Sequence, residues 1–198
     1  MTMRRGPLAE LGNLPNLLTL GRVLLIPIFL VFLFYGSRFS SAVAAFLFIG
    51  ASLTDVVDGF LARRMNLITT MGKFLDPIAD KLLVMSALVM LLSLGRVPAW
   101  VVILILAREF IISALRTLAM SEGVVIAAGQ GGKWKTSLQM VGLIGLILHY
   151  PYRIDFLFFE ADLDLHRMGL WLVYISLVPA ILSGVAYFQG FWEAVEDA

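Results

Sequence analysis

The sequence predicts an all-α integral membrane protein with six transmembrane helices, a short N-terminal interfacial segment and a polar site at the cytoplasmic side. Three observations lead there. Of 198 residues, 60% are hydrophobic and 15% charged, with a mean hydropathy of +0.92, too apolar for a soluble domain of this length. The apolar residues gather into runs near the ~20 residues needed to cross ~30 Å of hydrocarbon. The basic residues alternate between the two sides of those runs with a strong bias to one side.

Taken in order, Pro7 to Asn16 carries Leu8, Leu11 and Leu14 and reads as the interfacial segment, although Gly12 and Pro15 weaken any helix there. The spans are Leu17 to Tyr35, Ser41 to Phe60, Phe74 to Leu94, Pro98 to Ala119, Ser137 to Tyr150 and Met168 to Gln189, of which the fifth is short. Arg4 and Arg5 precede the first run as they would in a secretory leader. That run is long and no cleavage site follows it promptly, so it reads as a span. The chain reads as one domain, 1–198, without a low-complexity linker or internal repeat.

If the N-terminus is cytoplasmic, Arg4, Arg5, Arg63, Arg64, Lys73, Lys81, Arg108, Arg116, Lys133 and Lys135 fall inside. Arg38, Arg96, Arg153 and Arg167 fall outside, with Asp155, Glu160, Asp162 and Asp164 in the last outer loop. This is the positive-inside pattern of a multi-pass protein of the inner (cytoplasmic) membrane. Tyr35, Trp100, Tyr150, Tyr152 and Trp171 mark the outer boundary, and Trp134, Tyr187 and Trp192 the inner one. The net charge of +1 says little about partners, and no nucleic acid is expected. With no cysteine, disulfides and thiol chemistry are excluded.

The chemistry centres on Asp55, Asp58, Asp76 and Asp80. On helices, the first pair stands three residues apart and the second four, so each pair shares one face. Acids beside membrane spans are costly and mark function. Oxygen-only ligands favour Mg²⁺ or Mn²⁺ over Zn²⁺. Gly59, Ala62 and Gly72 keep the same stretch free of bulk. Pro77 has two readings: inside a helix it leaves the Lys73 carbonyl without its usual donor, or it occupies a first turn capped by Asp76.

The pattern Asp55-x2-Asp58-Gly59-x2-Ala62-Arg63-x8-Gly72-x3-Asp76-x3-Asp80 resembles the signature of the CDP-alcohol phosphotransferases at every fixed position. The resemblance implies a membrane enzyme that moves a substituted phosphoryl group from a CDP-linked donor to an alcohol and releases CMP. It also implies metal at Asp55, Asp58, Asp76 and Asp80, with Asp80 the base. It places the donor near Asn16, Thr19, Gly59, Ala62, Arg63, Thr69 and Gly72, against the plainer reading of Asn16 and Thr19 as a helix cap and first turn. Arg22 follows one turn on.

For the acceptor, Arg108, Arg116, Lys133 and Lys135 supply more positive charge than a neutral alcohol needs, and Glu109 is placed to orient Arg108 or Arg116 by pairing. Ala107-Arg108-Glu109, Ser113-Ala-Leu-Arg116 and Gly132-Lys133-Trp-Lys135-Thr136 resemble the family members that use CDP-diacylglycerol and sn-glycerol 3-phosphate, and the family implies a homodimer. A sibling with another acceptor, an intramembrane prenyltransferase and a divalent-cation transporter are the rival readings. Gly129-Gln-Gly-Gly132 reads as a flexible inner loop without P-loop spacing. Gly142 and Gly145 read as helix-packing positions, and His149 and His166 as incidental.

Overall fold

A computed structural model describes residues 14–64, 70–121, 131–156 and 159–196, with side chains described at 17–54, 78–79, 81–121, 134–151 and 163–193. Among these residues six helices form: α1 Leu14–Tyr35, α2 Arg38–Arg64, α3 Thr70–Ser93, α4 Ala99–Ser121, α5 Gly131–Leu148 and α6 Leu165–Glu196. By length and composition, α1 and α6 each qualify alone as membrane spans, over Leu17–Tyr35 and Leu165–Glu193. Shorter apolar stretches lie at Arg38–Thr54, Lys81–Ser93 and Trp134–Leu148. Most of the interfacial segment lies outside the described residues, and its last residues, Leu14 to Asn16, already belong to α1.

The six helices agree with the all-α expectation, and one short element stands beside them. Between α5 and α6 the acidic loop forms an antiparallel hairpin, β1 Pro151–Phe156 and β2 Phe159–Asp164. Apolar and charged residues alternate there, the period of a strand.

Compact packing divides the chain into two units, Met1–Met90 and Leu91–Ala198. In the first, Gly36 takes a left-handed φ of 63° and the short turn makes α1 and α2 antiparallel neighbours. Ser37 starts α2, its Oγ accepting the Ser40 N–H at 3.1 Å, the ordinary work of an N-cap. The buried stripe of α1 runs Thr19, Arg22, Ile26, Phe29, Leu33, and that of α2 runs Ala44, Phe48, Ala51, each at helical spacing. Phe29 and Phe48 meet with ring centroids 5.7 Å apart. On α3 the buried stripe is Ala79, Leu83, Ala87, Leu91.

In the second unit, a Schellman turn closes α3: Gly95 has φ 68°, its N–H reaches Leu92 O at 3.0 Å and Arg96 N–H reaches Leu91 O at 2.9 Å. The buried Arg96 side chain then caps a different helix. Its Nη1 donates to Ile147 O at 3.0 Å and Leu146 O at 3.3 Å, neutralising the negative C-terminal end of α5. Helices α5 and α6 pack backbone to backbone. A Cβ on Gly142 would lie 2.9 Å from Gly169 O, and one on Gly169 would lie 2.7 Å from Gly142 O. Gly142 and Gly145 are therefore packing positions, as their sequence context suggests, and Gly169 is the third member.

Candidate active site

Helix α2 carries Asp55, Asp58, Gly59, Ala62 and Arg63, and α3 carries Gly72, Asp76 and Asp80. Their side chains lie outside the description, and Thr69 lies outside the described residues altogether. The helical period nevertheless places the acids. Ala44, Phe48 and Ala51 form the buried stripe of α2, and steps of four and three carry it on through positions 55, 58 and 62. On α3, positions 76 and 80 precede Leu83 and Ala87 by the same steps, and Leu83 and Ala87 are buried. Both acidic pairs thus fall at positions in helical register with those stripes.

Pro77 lies well inside α3, which begins at Thr70. The first-turn reading, with Asp76 as cap, is overturned, and the Lys73 carbonyl faces a proline nitrogen that has no proton to give. The cap reading of Asn16 fails similarly, because α1 begins at Leu14. Position 16 falls one step before Thr19 on the stripe that continues to Arg22. Thr19 is 1% exposed and Arg22 2% exposed. A buried guanidinium on that stripe gives Arg22 a claim that sequence spacing only hinted at.

In the second unit the cations gather around one carboxylate. Arg108 Nη1 donates to Glu109 Oε1 at 3.0 Å, and Lys135 Nζ, on α5, pairs with the same oxygen. Arg108 also reaches α6: Nε donates to Ala180 O at 3.3 Å and Nη2 to Ser183 Oγ at 3.0 Å. Glu109 accordingly pairs with Arg108 and Lys135, and Ser183 is a site neighbour that sequence reading missed. No spacing signal links residues 108 and 183. Arg116 is exposed on α4, and Lys133 lies in the first turn of α5 with its side chain outside the description. Gly131 and Gly132 start that helix, so half of the expected glycine loop is helical.

Arg108 and Lys135 also line a cavity of about 260 Å³ between α4 and α6, otherwise walled by apolar residues such as Leu104, Ile111, Ile181 and Phe188. The aromatic boundary residues Trp100, Trp134, Trp171 and Trp192 are exposed as anchors should be, whereas Tyr187 is buried and belongs to the core.

The family profile for CDP-alcohol phosphatidyltransferase matches residues 12–182. The chain belongs to the CDP-alcohol phosphatidyltransferase family. That match runs through both compact units and covers the aspartate signature as well as the Arg108 and Lys135 cluster. The chain is 42% identical over 200 residues to the CDP-diacylglycerol--glycerol-3-phosphate 3-phosphatidyltransferase of Bacillus subtilis, covering 94% of this chain and 98% of that protein. It is 41% identical over 184 residues to a probable phosphatidylglycerophosphate synthase of Mycobacterium tuberculosis, covering 90% and 81%. A cardiolipin synthase (CMP-forming) of Oryza sativa is 34% identical over 94% of this chain and 59% of its own length. Membership makes this an integral membrane phosphatidyltransferase family member.

Proposed function

We propose that this chain transfers the phosphatidyl group of CDP-diacylglycerol to sn-glycerol 3-phosphate, giving phosphatidylglycerophosphate and CMP. The observation that carries this is near-full-length similarity to an enzyme named for that reaction, at 42% identity, with the eight-position aspartate signature intact. The six helices all cross the bilayer, and the positive-inside charges put the aspartates at the cytoplasmic face.

Asp55, Asp58, Asp76 and Asp80 form an oxygen-only donor set without thiols, which fits a hard divalent cation, Mg²⁺ or Mn²⁺. Such an ion, when bound, supplies charge neutralisation for the donor pyrophosphate. The chain does the rest. Asn16, Thr19 and Arg22 on α1 and Arg63 on α2 hold the donor, the arginine fork suiting phosphate oxygens. Gly59, Ala62 and Gly72 give it room, and Thr69 adds a contact.

Asp80 takes the proton from the primary hydroxyl of glycerol 3-phosphate. The hydroxyl oxygen bonds to the phosphatidyl phosphorus, the pyrophosphate P–O bond breaks, and CMP leaves with the bonding pair. Attack is direct, since the chain has no cysteine and the aspartates are committed to metal and proton transfer. Arg108, Arg116, Lys133 and Lys135 hold the acceptor phosphate, with Glu109 and Ser183 setting Arg108. By family resemblance the enzyme is a homodimer.

The similarity to a CMP-forming cardiolipin synthase favours one second reading, in which the acceptor is another phospholipid. Purified protein with CDP-diacylglycerol, Mg²⁺ and a panel of glycerol 3-phosphate, glycerol, serine, inositol phosphate and phosphatidylglycerol separates the two. Fastest CMP release with glycerol 3-phosphate is expected. A faster reaction with any other alcohol overturns the acceptor assignment while leaving the metal site standing.

A further inference from the structure

The hairpin between α5 and α6 is two-faced. Its register pairs Tyr152 with Leu163, Ile154 with Ala161 and Phe156 with Phe159, while Arg153 pairs with Asp162, Asp155 with Glu160 and Pro151 with Asp164. Cross-strand partners share a face, and residues two apart on a strand share it too. One face therefore carries Tyr152, Ile154, Phe156, Phe159, Ala161 and Leu163. The other is charged and predominantly acidic.

The hairpin's position ties it to the bilayer. Asp164 is followed directly by α6, a helix of 32 residues and about 48 Å long, more than the ~30 Å of hydrocarbon. Asp164 also starts that helix, accepting the Arg167 N–H at 3.0 Å. Trp171 and Tyr174 in its second and third turns meet edge to face with centroids 6.0 Å apart, and Tyr174 stacks on Trp100 at the start of α4, 5.6 Å away. Trp100 and Trp171 are exposed. A cluster of exposed tryptophans beside tyrosine marks the headgroup level. From there to Asp164 is seven residues, about 10 Å along the helix. Six-residue strands reach about 20 Å, so the hairpin is long enough to lie back onto the interface.

We propose that the β1–β2 hairpin is a membrane-surface anchor, its apolar face set on the acyl-headgroup boundary of the bilayer and its acidic face toward water. The occupant is lipid because the hairpin is continuous with a lipid-facing span on one side and adjoins the aromatic boundary. An apolar strand face next to bilayer gains transfer free energy in proportion to the area it removes from water. The acidic face, turned outward, avoids the repulsion that anionic headgroups would impose at contact. The proposal rests on membrane insertion of α6 and is independent of which alcohol is the acceptor.

The chain has no cysteine, so a single introduced cysteine can carry a fluorophore uniquely. Ile154→Cys and Ala161→Cys probe the apolar face, and Asp155→Cys and Glu160→Cys the charged one. Each is labelled with an environment-sensitive dye and reconstituted into vesicles of phosphatidylcholine and phosphatidylglycerol. Labels at 154 and 161 should be quenched by nitroxide carried on lipid chains and resist aqueous iodide, with the reverse at 155 and 160. Equal iodide quenching of both sets overturns the proposal. Shielding of 154 and 161 from both quenchers also overturns it, because the face then lies against protein. CMP release by each labelled protein reports its fold, and Phe156→Cys with Phe159→Cys reads the same face should either first variant lose it.

Discussion

Replacing Gly169 with alanine tests the close backbone packing of α5 against α6. The new Cβ would lie 2.7 Å from Gly142 O, 2.8 Å from Leu146 N and 2.9 Å from Gly145 C. All three are backbone atoms, so no side-chain rotation relieves the contact. Restoring an ordinary separation of about 3.4 Å means moving α5 and α6 apart by about 0.7 Å, which forfeits dispersion contacts along the whole crossing. Overpacking of this kind costs typically 1–3 kcal/mol. For a chain of this length, each kcal/mol corresponds to roughly 2–4 °C in Tm, so Gly169→Ala should melt about 2–12 °C lower in detergent. Gly50→Ala is the control, because a Cβ there meets nothing within 4 Å and alanine raises helix propensity by up to ~1 kcal/mol. A Gly169→Ala protein that melts with the wild type, or no lower than Gly50→Ala, would refute the close-packed crossing.

Asp80→Asn should lower turnover by about 10²–10⁴ while donor binding persists, and near-normal turnover would remove Asp80 as the base. Asp55→Ala and Asp58→Ala should instead shift the Mg²⁺ titration of activity to higher concentration, with an unchanged midpoint counting against them as ligands. Lys135→Ala should raise the glycerol 3-phosphate KM about tenfold or more, since a hydrogen bond to a charged group contributes about 1.5–3 kcal/mol. An equal rise in donor KM would point to general disruption around Glu109. Arg96→Met should cost stability on the same scale by uncapping α5, visible as faster amide exchange in its last turn; unchanged exchange there would show that the cap is dispensable.

Much of this protein is written in local spacing. Apolar runs near span length, the sided distribution of Arg and Lys, and four aspartates at steps of three and four depend only on residue type and helical period, so the chain alone specifies helices and acids sharing a face. The hairpin is legible as well, in the alternation of apolar and charged residues along its two strands, Pro151–Phe156 and Phe159–Asp164. What the tertiary structure decided concerns residues far apart in sequence. Arg108 meets Ser183 and Ala180, Lys135 meets Glu109, Arg96 caps α5, and Gly169 completes the contact begun by Gly142 and Gly145. Helix starts settled Pro77 and Asn16, since a proline or a cap changes meaning with the turn it occupies. A periodic pattern tells a helix which stripe to bury. Only the packed neighbour fixes which donor finds which acceptor, because desolvated polar groups pair with whatever the fold brings within reach.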